Sequence, residues 1–160
     1  MTSHERIGRM YAHREADRIP VIDSPWRTTI ERWHREGMPE GVSFVEYFDL
    51  ERIGHISVDN SPRYPAEVIE QTPEYRIFTT SWGETLKEFT RADSTPDFLD
   101  FRIIDRKSWE QAKQRMRPAP DRIPWEMLKR EYPRWRREGH WIEAGLWFGF
   151  DVTHSWTVGT

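Results

Sequence analysis

The sequence predicts an α/β fold, and three observations carry that expectation. Short apolar runs alternate with longer stretches of helical periodicity, the order in which a parallel sheet acquires helices on its faces. The helical stretches are bounded by residues that start and stop helices. Between them, "EYRIFTTSWGETLKEFT" alternates in two runs joined near Trp82 and Gly83, which predicts an inserted β-hairpin.

In chain order, Thr2 or Ser3 caps a short helix with Ile7, Met10 and Tyr11 on one face, and Pro20 discourages its continuation. Ile19 to Ile22 reads as a short buried strand. In "DSPWRTTIERWHREG", Asp23 or Ser24 is the expected cap, Pro25 sits in the first turn, Trp26, Ile30 and Trp33 share a face, and Gly37 is the stop. One helical turn follows over Ser43 to Phe48, and "RIGHISV" reads as a second buried strand ending at Val58. After the hairpin, a helix runs from Asp105 or Ser108 to Met116. "MRPAPDRIP" connects it to a charged helix from Trp125 to Glu138, which Gly139 ends. "HWIEAGLWFGF" is a third strand, and Asp151 caps a last segment. No repeat or internal boundary interrupts residues 1–160, so a single domain is expected.

Composition removes several classes of function. The 24 Lys and Arg stand against 27 Asp and Glu, a net charge of −3, so no basic footprint favours nucleic acid or an anionic membrane. Without cysteine there is no disulfide, thiol nucleophile or thiolate metal site in these residues. The first residues lack the apolar region of a signal peptide, and no apolar run approaches the ~18 residues of a membrane span. A cytoplasmic protein acting on a small molecule is the expectation. Dinucleotide, P-loop, zincin and serine-hydrolase motifs are absent, and the six histidines form no short-spaced pair.

Strand ends supply the candidate site residues, because ligands of parallel α/β folds bind at the carboxyl ends of strands. Asp59 follows the second strand, where a carboxylate can accept N–H donors or stabilise a developing cation. The same residue with Asn60, Ser61 and Pro62 also fits an Asx-type turn. Asp23, Trp26 and Arg27 follow the first strand as candidate substrate-binding residues, with capping and core packing as the alternative. His154 and Trp156 follow the third, and His154 can exchange a proton near neutral pH. Nine tryptophans suggest a stacking surface, but Trp26, Trp33, Trp109, Trp125 and Trp135 have the helical spacing of core positions.

The ordered stretches "HREADRIPV", "YFDLERIGHISVDNSPRYP", "TSWGETLKEF", "STPDFLDF" and "GLWFGFDVTHSWTVGT" together resemble the N-terminal half of the uroporphyrinogen decarboxylase-like family, over essentially the whole chain. The family consists of (β/α)8 barrels and includes haem-pathway decarboxylases and cobalamin-linked thiol methyltransferases. The resemblance implies the N-terminal portion of such a barrel, which takes ~250 residues, with the remainder beyond residue 160. It also implies that Asp59, in "ISVDNSP", stands where the decarboxylases hold pyrrole N–H groups, and is the candidate catalytic residue. Where those enzymes carry substrate-binding arginines, this sequence reads "DSPWRTT", with Arg27 alone nearby. A methyltransferase-type or uncharacterised relative is therefore expected in preference to a haem-pathway decarboxylase. No cofactor is expected within this chain; a methyltransferase would bring zinc, bound in the C-terminal half, and a corrinoid protein as partner. The alternative is a self-contained, non-enzymatic binding module, for instance for a carbohydrate, presenting the hairpin around Trp82.

Overall fold

The computed structural model describes residues 1–90, 94–147 and 149. Its elements are α1 (Ser3–Tyr11), α2 (Arg27–Arg35), α3 (Phe44–Tyr47), β1 (Ile53–Ser57), β2 (Val68–Gln71), β3 (Tyr75–Thr79), β4 (Glu84–Phe89), β5 (Asp97–Phe101), α4 (Arg106–Arg115), α5 (Trp125–Arg137) and β6 (Trp141–Gly145). They form two compact units. One is Met1–Val58 with Ile123–Gly145; the other is Asp59–Arg122 with, of the described residues, Leu146, Trp147 and Gly149.

The first unit is built on a parallel strand–helix–strand motif. β1 and β6 pair in parallel from Ile53 opposite Trp141 to Ser57 opposite Gly145. α5 precedes β6 and lays Trp135, which is 8% exposed, against β1. The approach is possible because residue 54 is glycine: a Cβ there would lie 2.6 Å from the indole. The Asp59–Arg122 segment of the second unit is inserted in the chain between β1 and α5.

Charge fastens α1, the N-terminal helix of the first unit. Thr2 caps α1 by accepting from Glu5 N, while the Glu5 carboxylate accepts from Thr2 N at 2.8 Å. From the buried side of α1, Arg6 donates from Nη1 to both oxygens of Glu51 at 2.9 and 2.7 Å, and Arg18 Nη1 lies 2.9 Å from the same carboxylate. The Glu51 side chain is fully enclosed. Arg6 also donates from Nε to Asp17 at 2.6 Å, and this bond, with that of the N-terminal ammonium, holds the Asp17 carboxyl well below the usual carboxylate range.

The expected strand over Ile19 to Ile22 does not form. The segment is extended but exposed, with Ile19 at 82%, and one backbone bond, Glu51 N to Val21 O at 2.9 Å, ties it to the chain before β1. Pro20 has no N–H to extend a ladder, and Arg18, bonded to the Asp49 carbonyl, anchors the segment through a side chain instead. α2 accordingly begins at Arg27, with Trp26 as N-cap and no side-chain cap; Asp23 instead accepts from Ser24 N at 2.7 Å. Of the five tryptophans expected in the core, Trp135 is buried, Trp33 and Trp109 are half-buried, and Trp26 and Trp125 are about half exposed at 54% and 50%.

The second unit holds the expected hairpin, enlarged to a four-stranded antiparallel sheet in the order β2-β3-β4-β5. Gly83 N donates to Thr80 O at 3.0 Å to close the β3–β4 turn, and Gly83 has φ +96, the left-handed region. Trp82 is 9% exposed, so its ring is packed inward, away from solvent. Asp105 and Ser108 form a reciprocal capping box at the start of α4, where the sequence expects the helix to begin. Glu84 is 2% exposed and bonded to the Thr80 hydroxyl; burial raises its carboxyl above the ordinary 4.5. Among the described residues the structure is thus mixed α/β with one parallel and one antiparallel sheet, and neither closes into a barrel. No helix of these residues is long and apolar enough to cross a membrane.

Gly54→Ala should cost about 1–3 kcal/mol, the usual penalty for overpacking, measured by urea denaturation; an unchanged midpoint would mean that α5 does not press on β1. Because the raised Glu84 value means that the folded state holds the proton more tightly, stability falls as pH rises from the ordinary value through the folded one. Glu84→Gln should therefore be more stable than the native chain at neutral pH and lose that advantage in acid, as thermal melts across the range would read.

Candidate functional site

Two residues after β1 the chain reaches Asp59, and a compact polar cluster in the second unit surrounds it. Oδ1 accepts from Ser61 N at 3.0 Å and from Ser61 Oγ at 2.7 Å, which is an Asx turn. Oδ2 accepts from Arg63 Nε at 2.5 Å. Arg63 turns its other face to Asp121, donating to the carboxylate from Nη1 and to the carbonyl from Nη2 at 3.0 Å. Its φ of +53 is unusual for a side-chain-bearing residue, and such a conformation costs roughly 1–2 kcal/mol. The two carboxylates offset that strain.

Beneath the turn lies Arg122, 7% exposed. It donates from Nη1 to the carbonyls of Asp59 at 2.8 Å and Ser61 at 2.9 Å, from Nε to Arg117 O at 2.9 Å, and from Nη2 to Arg115 O. Arg115 in turn donates to Pro62 O at 2.8 Å and Arg63 O at 3.0 Å. Loop carbonyls that no strand pairs are thereby satisfied by guanidinium groups, as buried backbone requires.

These bonds set the charge on Asp59. Burial acts to raise its carboxyl, but the bonds from Arg63 and Ser61 outweigh burial and hold it below the ordinary 3.8. Asp121 is lowered by the Arg63 hydrogen bond, and Arg63 is raised by both acids. Asp59 is therefore ionised at neutral pH and unsuited to donating a proton. About four acceptor positions exist on a carboxylate. Three are taken here, while the side chain remains 40% exposed. What remains can accept one N–H or face a cation.

The other sequence candidates do not join this cluster. Asp23, Trp26 and Arg27 belong to the first unit, in an exposed loop and the start of α2, where Arg27 pairs with Glu31 one helical turn on. His154 and Trp156 lie outside the described residues. Arg63, Arg115, Asp121 and Arg122 were missed by the sequence reading. The spacing of Asp59 and Arg63 and the "DR" pair at 121 and 122 are the only signals, and neither reveals that residues so far apart in the chain meet.

Neither family models, nor curated proteins, nor solved structures give a match to this chain. A group of three or more His, Asp or Glu side chains placed to hold a metal does not occur among the described residues.

Arg122→Ala should destabilise by about 2–4 kcal/mol, since it leaves buried carbonyls unpaired. Arg63→Ala should let the Asp59 carboxyl rise. Since the native value lies below the ordinary one, Asp59 adds stability above pH 3.8 that is lost as pH falls through the folded value. Carboxyl ¹³C titration reads the shift directly, and an unmoved Asp59 would show that Arg63 does not hold it.

Proposed function

We propose that this chain is the N-terminal portion of a uroporphyrinogen decarboxylase-like barrel enzyme, of the methyltransferase type or an uncharacterised branch, that takes a small molecule at the carboxylate of Asp59. The observation that carries the reading is the parallel β1–α5–β6 motif with an ionised, partly exposed aspartate directly after β1. Parallel strands with a crossover helix are the repeating part of a (β/α)8 barrel, and residues just beyond their carboxyl ends form its sites. The sequence resemblance in "ISVDNSP" points to the same residue.

The electrostatics narrow the role of Asp59. A carboxylate held ionised by Arg63 and Ser61 binds N–H donors or a developing positive charge and does not act as an acid. Trp26 and Arg27, with Asp23 before them, are exposed and remain candidates for lining in the complete barrel. Zinc, which a methyltransferase would use to activate a thiol, finds no ligand set here: the chain has no cysteine, and no acid–histidine group converges among the described residues. No step is assigned to it, and a corrinoid-carrying partner belongs to the proposal only through the family.

The test uses the full-length gene product assayed for methyl transfer from methylcobalamin to a thiol and, separately, for uroporphyrinogen decarboxylation. Asp59→Asn keeps the Asx turn but loses the charge, so activity should fall by at least two orders of magnitude while stability changes by about 1 kcal/mol, the scale of a partly exposed ion pair. Retained activity with a lowered melting temperature would return Asp59 to a purely structural turn.

A further inference from the structure

The β1–β6 sheet of the first unit has two faces, and α5 packs on one of them. Gly54 and Ile56 of β1, with Ile142 and Ala144 of β6, share the α5 side, while Ile53, His55, Ser57, Trp141, Glu143 and Gly145 share the other. α1 meets this second face at its start, where Tyr11 stacks on Trp141 with ring centroids 5.5 Å apart. Parallel sheets are ordinarily apolar on both faces. Here the middle of the second face holds an imidazole and a carboxylate in register: His55 stands opposite Glu143, and their side chains are 53% and 49% exposed.

The imidazole is held in one orientation. Nδ1 of His55 lies 3.3 Å from Glu143 Oε1. A carboxylate only accepts, so the proton between them sits on Nδ1, and the neutral ring keeps its lone pair on Nε2. The tip of the ring leans across the ladder to Gly145, where a Cβ would lie 3.0 Å from Cε1 and 3.4 Å from Nε2. A glycine at 145 thus leaves the room that the imidazole occupies.

Gly145 is the register partner of Ser57, the last residue of β1, on the same face. With paired strands about 4.8 Å apart, the Ser57 side chain stands one strand spacing from the place the ring tip reaches. Ser57 is exposed, and its hydroxyl makes no hydrogen bond among the described residues, so rotation about χ1 turns it toward Nε2 without breaking a bond. Hydroxyl, imidazole and carboxylate are thereby arranged as a nucleophile, its base and the group that orients the base. Such a set is recognised by geometry and not by a sequence motif, and ladder register supplies here what a G-x-S-x-G turn supplies elsewhere. His55 and Glu143 are two ligating groups, short of the three or four that a metal site uses.

We propose that Ser57, His55 and Glu143 form an acyl-transfer site for small carboxylic esters, a reading that owes nothing to Asp59. Ser57 Oγ attacks the ester carbonyl while its proton passes to Nε2; the bond to the leaving oxygen breaks, and that oxygen takes the proton from Nε2. Water, deprotonated by the same nitrogen, then releases the acid from the acyl-serine. Glu143 is a positioning residue, since it acts through the imidazole. The probe is p-nitrophenyl acetate, offered to the 160-residue chain, with acid-quenched samples mapped by peptide mass spectrometry. Release of nitrophenolate should saturate with ester, and an acetyl group should be trapped on Ser57. Ser57→Ala and His55→Gln, exposed changes whose folds are checked by melting temperature, should each slow release about a hundredfold, the scale of general-base catalysis. The double variant should be no slower than either, because the two residues act as a unit. Glu143→Gln should slow release as well and move the ring proton to Nε2, which the ¹⁵N signals of His55 read directly. Release that does not saturate, acetyl groups on lysine or histidine but not on Ser57, or an undiminished rate in Ser57→Ala would each overturn the assignment.

Discussion

The contact of Trp135 with the bare backbone of Gly54 is the constraint on which the first unit depends. A parallel pair cannot be joined by a tight turn, so β1 and β6 meet only if something brings the chain back across the sheet. α5 does this, and it can lie close enough only where β1 has no side chain. The returning chain has first traversed a whole antiparallel sheet, yet closing so long an excursion costs little more than closing a short one, since loop entropy grows only logarithmically with length.

Buried charge does much of the work that apolar contact does in more hydrophobic chains. With a mean hydropathy of −0.86, few large apolar side chains are fully enclosed, and the interior positions include Arg6, Glu51, Glu84 and Arg122. Such groups are tolerated only when their bonding capacity is met, which is why Glu51 has two arginines and Arg122 has carbonyl partners. Directional bonds of this kind favour one arrangement over near neighbours. Glu84, with one hydroxyl partner, and His140, with none aligned, are the exceptions.

Local signals were legible in the sequence, and long-range ones were not. α4 starts at the Asp105–Ser108 box, α5 ends before Gly139, and the hairpin turns at Trp82 and Gly83, because each is decided within a few residues. The supposed strand at Ile19 to Ile22 failed because apolar composition says nothing about whether a ladder partner is available. β2 escaped notice because all four of its residues are exposed, so it carries no buried face to impose alternation. At the site, the turn residues Asp59 and Ser61 could be read directly. Their partners Asp121 and Arg122 could not, since only the folded chain brings them together.

The backbone N–H of Asp59 donates to the carbonyl of Arg122 at 3.0 Å, so the inserted segment begins and ends at a single clasp. A segment whose two ends already touch demands only adjacent attachment points from its host. It behaves as a cassette: the strand–helix–strand host can in principle be rejoined by a short linker from Val58 to Ile123, and the antiparallel sheet can be grafted elsewhere or opened at an exposed tip to make new termini. Recombination of the gene at these two positions would move the antiparallel sheet as one piece, while Leu146, Trp147 and Gly149, which belong to the same unit, would stay behind with the host.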